Sequence, residues 1–214
     1  MSGTNPDLAI LVFARAPVPG AAKTRLIPLL GAAAAATLQG RLLRRAMATA
    51  RAAAPGELEL WCAPDATHPA LLAAAQAHRA TLRVQHGTDL GSRMAHAFTD
   101  ALRRAPHVIC IGTDCPALTV QHLHDAANAL RTGHDAVFAP AEDGGYALVG
   151  LARNEPRLFS GITWGSAQVM AQTRERLRTC GLHAQELETL WDVDRPEDWQ
   201  RLQKSGLLDD TPPH

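Results

Sequence analysis

Cysteine, lysine and long apolar runs are scarce in this chain, and its charges cancel. Four cysteines, Cys62, Cys110, Cys115 and Cys180, stand among 214 residues with no CxxC pair and no zinc-like spacing. A disulfide framework is therefore not expected, and a reducing, cytoplasmic setting fits. The first apolar run, residues 8–14, follows Asp7 and stops at Arg15. It is too short to span a bilayer and wrongly flanked for a secretory signal. With 21 basic and 21 acidic residues there is no global field to draw in a nucleic acid. These absences predict a soluble protein with no membrane span and no nucleic-acid partner. Only Lys23 and Lys204 are lysine, so the placement of Lys23 in a loop beside Arg25 stands out against a background of Ala and Arg.

What is present is alternation. Residues 8–14 form a continuous apolar run of strand length, the pattern of a parallel strand covered on both faces. Pro17, Pro19 and Gly20 then enforce a loop, 26–30 suits a turn, and 32–53 has helical propensity with Leu38, Leu42 and Leu43 on one side. Strands follow at 57–63, 81–85, 108–111 and 136–139, separated by helices at 69–77, 90–104 and about 119–130. After Pro140 the order changes to a turn at 142–145, a strand at 146–149, a helix at 166–180 and an extended segment at 184–190. Pro196, Glu197 and Asp198 resemble a helix start. The alternation predicts a doubly wound α/β sheet in one domain, 8–205, with a flexible N-terminus at 1–7 and a tail at 206–214.

In an open α/β sheet, ligands bind outside the C-terminal ends of the strands. The loop Ala14-Arg15-Ala16-Pro17-Val18-Pro19-Gly20-Ala21-Ala22-Lys23-Thr24-Arg25 leaves the first strand there. Lys23 and Arg25 can neutralise phosphates while Gly20 admits a close backbone approach. The loop is neither GxGxxG nor the lysine-containing P-loop, which disfavours a dinucleotide enzyme and an ATPase. A rigid surface turn with two solvated cations is the plainer reading. Gly112-Thr113-Asp114-Cys115-Pro116 ends the fourth strand with a carboxylate on a restricted turn. Asp114 suits Mg2+ or Mn2+, whose remaining positions a nucleotide diphosphate can fill; closing the turn or capping the next helix are its alternatives. Trp191-Asp192-Val193-Asp194 carries the second acidic pair, from which Asp194 is the favoured metal-side acid, with helix capping as its competitor.

Glu142-Asp143-Gly144-Gly145-Tyr146 sets two carboxylates beside a glycine pair, so an acceptor can pass close to the backbone of Gly144 and Gly145. Asp143 or Glu142 can then bind its hydroxyls or take its proton, although a reverse turn alone also selects Asp-Gly. Gly87, Gly91 and Arg93, at the third strand-to-helix junction, are candidates for the nucleotide side, with Asp89 suited to an N-cap. Trp164 can shape the acceptor side or simply anchor a helix entry.

The N-terminal loop from Phe13 to Leu26, together with Gly112-Thr113-Asp114-Cys115-Pro116, Glu142-Asp143-Gly144-Gly145-Tyr146 and Asp192-Val193-Asp194, resembles the DUF2064 family. That family is also described as glycosyltransferase-like or selenodomain-associated transferases, and the resemblance runs from about Leu8 to Leu202. It implies a nucleotide-diphospho-sugar transferase fold: a single-domain, GT-A-like (Rossmann-like) three-layer α/β/α sandwich with a mostly parallel central sheet. It places a metal-binding acid at Asp114, phosphate-facing residues at Ala14, Arg15, Gly20, Lys23 and Arg25, and a nucleotide-side junction at Gly87, Gly91 and Arg93. Two departures stand out. The loop is richer in proline and poorer in glycine than a sugar-nucleotide pyrophosphorylase loop, and Gly112-Thr113-Asp114 lacks the Asp-x-Asp pattern of many metal-dependent glycosyltransferases.

The leading expectation is sugar transfer from a nucleotide diphosphate sugar to a small acceptor. Asp114, Asp194 and Lys23 would serve the departing diphosphate, Asp143 the acceptor hydroxyl, and Glu142, Gly144, Gly145, Tyr146 and Trp164 the acceptor site. The alternative is transfer of NMP from an NTP to a small phosphorylated or sugar-like substrate with release of pyrophosphate. A monomer or a homodimer would serve either.

Overall fold

The computed structural model describes residues 6–54 and 56–208; residues 1–5 and 209–214, most of both expected terminal segments, lie outside it. Seven strands form one sheet in the order β3-β2-β1-β4-β6-β5-β7. They are β1 (Leu8–Arg15), β2 (Glu57–Ala63), β3 (Thr81–Val84), β4 (His107–Ile111), β5 (Ala136–Pro140), β6 (Tyr146–Leu151) and β7 (Ala184–Glu186). All neighbours pair in parallel except β6, which runs antiparallel to both β4 and β5. The helices are α1 (Ile27–Leu30), α2 (Ala32–Ala53), α3 (Pro69–Ala77), α4 (Leu90–Ala101), α5 (Val120–Arg131), α6 (Val169–Cys180) and α7 (Pro196–Ser205).

The apolar run of β1 is covered on both faces, as its pattern requires. Ile10 and Val12 pack with α2, α3 and α5 residues such as Met47, Leu71 and Leu123. Ala9 and Leu11 point the other way, toward Met94, Phe98 and Met170 from α4 and α6. The three-layer α/β/α arrangement follows from this alternation. A third cluster, Leu26, Leu38, Leu42, Val193, Leu202 and Leu208, fastens the first loop and the Asp192–Asp194 segment to α2 and α7. Packing thus continues three residues past 205: Leu208 is buried, and Arg41 and Arg45 donate to the carbonyls of Leu208 and Leu207 at 2.7 Å each.

Differences from the sequence reading are local. The expected helix at 166–180 begins only at Val169, because Ser166 spends its hydroxyl on the Thr163 carbonyl at 2.7 Å in the preceding turn. The expected extended segment at 184–190 is a three-residue strand plus one further bridge, Ala141 to Leu190. A 3-10 turn at Pro156–Phe159 carries no strong periodic signal and was not anticipated.

The strand order reverses at β1. The chain goes outward through β2 and β3, then returns to place β4 on the other side of β1. The crevice above the β1/β4 pair is therefore where an open α/β sheet receives its ligand.

Candidate functional site

Lys23 is buried, although it sits in a surface loop. Its left-handed backbone (φ 47°, ψ 48°) turns the side chain inward, where Nζ donates to the Val193 carbonyl at 2.7 Å and meets Asp114 Oδ1 at 2.8 Å. The Val193 amide in turn donates to the Asp114 carbonyl at 2.9 Å. One ammonium thus ties together the loop after β1, the turn after β4 and the segment 192–194, which lie about 80 to 170 residues apart along the chain. A buried cation is stable here because it is both paired and hydrogen-bonded.

The Asp114 carboxylate is positioned from below as well. Gln39, buried in α2, donates Nε2 to Thr113 Oγ1 at 2.9 Å, and the Thr113 hydroxyl donates to Asp114 Oδ1 at 3.2 Å. Neither residue was singled out from the sequence, yet a signal existed: Gln39 falls on the same helical face as Leu38, Leu42 and Leu43, where a polar group needs a buried partner. Asp114 caps no helix; α5 is capped by Thr119, which accepts from the His122 amide. Asp194 caps none either, since Asp198 accepts from the amides of Asp194 and Arg195 at 3.0 and 2.7 Å.

Two cavities open on this frame and meet at Asp114, sharing Leu90, Gly112 and Asp114 in their walls. The larger, about 490 Å³, lies over the β1/β4 pair between the Lys23 loop and the start of α4, with Ala14, Arg15, Lys23, Arg93 and Asp194 on its wall. The smaller, about 270 Å³, is bounded by Asp143, Gly145, Tyr146, Trp164 and Asp192. The acid-bearing segments expected from the sequence do converge.

Several candidates lie elsewhere. Arg25 is not in the wall of the larger cavity and pairs with Asp194, and Gly20 is exposed outside it. Gly87 and Gly91 do not line it; Thr88, Asp89, Leu90 and Arg93 do. Gly91 instead admits close packing, because a Cβ there would stand 2.5 Å from both the Phe159 carbonyl and Trp164 Nε1. Glu142 is exposed and pairs with Arg201 at 2.8 Å. Gly144 is not in the wall of the smaller cavity: with φ at +90°, a Cβ would come 2.2 Å from the Ala167 carbonyl, and its own carbonyl accepts from the Met170 amide at 2.8 Å. Cys115, and Asp192 of the second acidic pair, also line the smaller cavity. Burial pushes the Cys115 thiol up to about 12, so it is not a thiolate at neutral pH.

Asp192 is the electrostatically perturbed acid. Burial, and then the nearby charges of Asp143 and Asp114, push its carboxyl up to about 6 from an ordinary 3.8. The folded chain therefore binds this proton more tightly than the unfolded chain. The associated stability is complete below the ordinary value and is lost as pH rises toward about 6. Carbon-13 titration is expected to show an Asp192 inflection near 6, moved downward by Asp143→Asn. A wild-type inflection near the ordinary aspartate value would refute this.

The described residues include no group of three or more His, Cys, Asp or Glu side chains able to hold a metal on their own. The donors present are nonetheless hard carboxylate oxygens. Asp114 and Asp194 both line the larger cavity, a set that suits a divalent cation completed by phosphate oxygens of a nucleotide.

The sequence matches a family described as an uncharacterized protein conserved in bacteria, DUF2064, over residues 43–166. The chain belongs to the DUF2064 family. Among solved structures, this DUF2064 chain is similar to a candidate nucleotide-diphospho-sugar transferase of Desulfovibrio desulfuricans G20. The two share 32% identity over 94% of this chain and 88% of the other, with a TM-score of 0.85. A cytidylyltransferase of Leptospira borgpetersenii shares the fold at 10% identity and TM-score 0.61, over 98% and 99% of the two chains. Glucosyl-3-phosphoglycerate synthase of Mycobacterium tuberculosis, solved with Mn2+, UDP and glucosyl-3-phosphoglycerate, does so at 10% and 0.54, over 95% and 77%. No curated protein matches the sequence. The fold is thus that of nucleotide-diphospho-sugar transferases and nucleotidyltransferases. Among the described residues, no helix is long and apolar enough to cross a membrane.

Proposed function

We propose that this protein transfers a sugar from a nucleotide diphosphate sugar to a small acceptor. The observation that carries this reading is the meeting of two cavities at one carboxylate, Asp114, with phosphate-compatible cations on one side and acids with aromatic rings on the other. Reaction at a shared wall needs donor and acceptor held side by side, and such placement supplies much of a transferase's rate.

The donor would lie in the larger cavity. The Arg15 side chain has no hydrogen-bond or ion-pair partner among the described residues, and Arg93 uses one N–H on the Gly87 carbonyl at 3.1 Å. Both can therefore face a diphosphate. Lys23, on the same wall, would also hold Asp114 and Val193 in place. Asp114 and Asp194 would hold Mg2+ or Mn2+, which when bound stabilises negative charge on the departing diphosphate.

The acceptor hydroxyl would enter the smaller cavity. Its oxygen forms the new bond to the sugar anomeric carbon, the carbon–oxygen bond to the diphosphate breaks, and the hydroxyl proton passes to the Asp143–Asp192 pair. Asp143 keeps Oδ2 available because Oδ1 accepts from the Gly145 amide at 2.8 Å. Asp192, near 6, is a stronger base than an ordinary aspartate and still ionised at neutral pH.

The second reading, nucleotidyl transfer, is favoured by Arg15 and Arg93, which form no close ion pair among the described residues and would also suit a triphosphate. The products separate the two. Incubation with Mg2+ or Mn2+ and a panel of NTPs and nucleotide sugars is expected to release nucleoside diphosphate with a glycosylated product. Release of pyrophosphate instead would overturn sugar transfer in favour of nucleotidyl transfer.

A further inference from the structure

The smaller cavity is rich in carboxylate acceptors and has no cationic donor in its described lining. Three carboxylates, Asp114, Asp143 and Asp192, reach its wall, and no lysine, arginine or histidine is among its described lining. Three of the neutral donors that border it are engaged within the protein. The Gly145 amide donates to Asp143 Oδ1 at 2.8 Å, the Tyr146 hydroxyl to Met94 Sδ at 3.9 Å, and the Ser166 hydroxyl to the Thr163 carbonyl at 2.7 Å.

The start of α6 does not make up the shortfall. A helix N-terminus attracts anions through free amides, but here the Val169 amide donates to the Ser166 carbonyl at 3.4 Å and the Met170 amide to the Gly144 carbonyl at 2.8 Å. The Gln168 amide reaches Ser166 Oγ at 3.3 Å. The Lys23 ammonium is buried and paired with Asp114. The rings of Tyr146 and Trp164, 6.3 Å apart and nearly perpendicular, supply a flat and an edge surface of the kind that favours a cation or the C–H face of a sugar.

From these walls we infer that the smaller cavity selects a small hydroxyl-bearing amine as acceptor and rejects phosphorylated and carboxylate compounds. A ligand there must bring its own donors, and like charges held at close range disfavour an anion. The volume, about 270 Å³, equals the share of about nine liquid waters, which suits one sugar-sized molecule. The inference rests on the smaller cavity being the acceptor side of a transferase.

The test uses the full chain, labelled with nitrogen-15, and reads the indole N–H of Trp164, assigned with Trp164→Phe. Three probes are titrated separately at neutral pH: glucosamine, glucose and glucose 6-phosphate. Glucosamine is expected to half-saturate the Trp164 shift at a concentration about tenfold or more below glucose, the advantage of a charge-assisted hydrogen bond. Glucose 6-phosphate is expected to leave Trp164 unmoved over the same range. In an Asp143→Asn, Asp192→Asn double variant the advantage of glucosamine should shrink to about twofold or less. Saturation by glucose 6-phosphate at or below the glucose concentration, an advantage that survives in the double variant, or no response to any probe would each overturn the inference.

A separate titration with Mn2+ and UDP keeps the two readings apart. Loss of selectivity at Trp164 with UDP still binding removes only the acceptor class. Absence of nucleotide binding with selectivity intact removes the transferase reading.

Discussion

Asp114→Asn is expected to weaken binding of a Mn2+–nucleoside diphosphate by about 100-fold or more while the fold persists. Changes one layer further out from a metal typically cost 10- to 100-fold, so loss of the ligand charge itself should reach or exceed that range. Asparagine is the informative replacement because its side-chain oxygen can still accept from Lys23 and Thr113, the two groups that touch Asp114 Oδ1. The variant therefore removes charge and leaves the tie between Lys23, Asp114 and Val193 in place. Calorimetric titration at fixed ionic strength measures the effect, with thermal unfolding as the check on integrity. Wild-type affinity in the variant would show that Asp114 does not serve the nucleotide site.

Glu59→Ala should have the largest effect on stability, about 3–5 kcal/mol, the usual cost of removing one member of a buried ion pair. Glu59 lies in β2 and is fully buried. Its Oε2 accepts from Trp61 Nε1 at 2.7 Å, while Oε1 meets Arg104 at 2.6 Å and Arg83 at 3.2 Å. Burial pushes this carboxyl up, and the Trp61 hydrogen bond and the two guanidiniums pull against it. Truncation would strand the indole N–H in the core and leave two arginines facing a void; both are partly exposed, which keeps the cost from climbing higher. In a protein of this size the midpoint of thermal unfolding should fall by about 6–20 °C. Glu59→Gln, which retains an acceptor for Trp61, should cost less. A loss under about 1 kcal/mol for the alanine variant would mean the network contributes little.

Much of the architecture is legible in the sequence, and the reason is locality. The apolar run at 8–14, the helix at 32–53 and the Asp89 cap of α4 each depend on residues close together in the chain, where periodicity and capping chemistry act. Asp89 accepts from the Ser92 amide at 2.7 Å, the role its residue type suggested. The antiparallel course of β6 was less legible. A short apolar strand between β4 and β5 has the same pattern in either direction, and only its pairing with both neighbours sets it.

The site divides in the same way. Asp114, Lys23, Asp143 and Trp164 stand on cavity walls, a placement legible in the sequence because turns at strand ends concentrate Gly, Pro and Asp and face the crevice in any open α/β sheet. Gln39 was not found, because its meaning depends on Thr113, 74 residues away. Gly87, Gly91 and Glu142 were assigned by proximity to such turns, and packing gave Gly91 to the Trp164 ring and Glu142 to Arg201.

By itself the sequence determined the succession of strands and helices, the kinds of chemical group at each strand end, and the absence of any long apolar span, since all of these depend on neighbours in the chain. Only the tertiary structure decided which charges are already satisfied. Lys23 is spent on Asp114 and Arg25 on Asp194, while the Arg15 side chain has no partner among the described residues and Asp192 is crowded by other acids. Whether a cation can meet a phosphate, or an acid a proton, is set by partners within a few ångströms in space, and such partners here stand up to 170 residues apart in the chain.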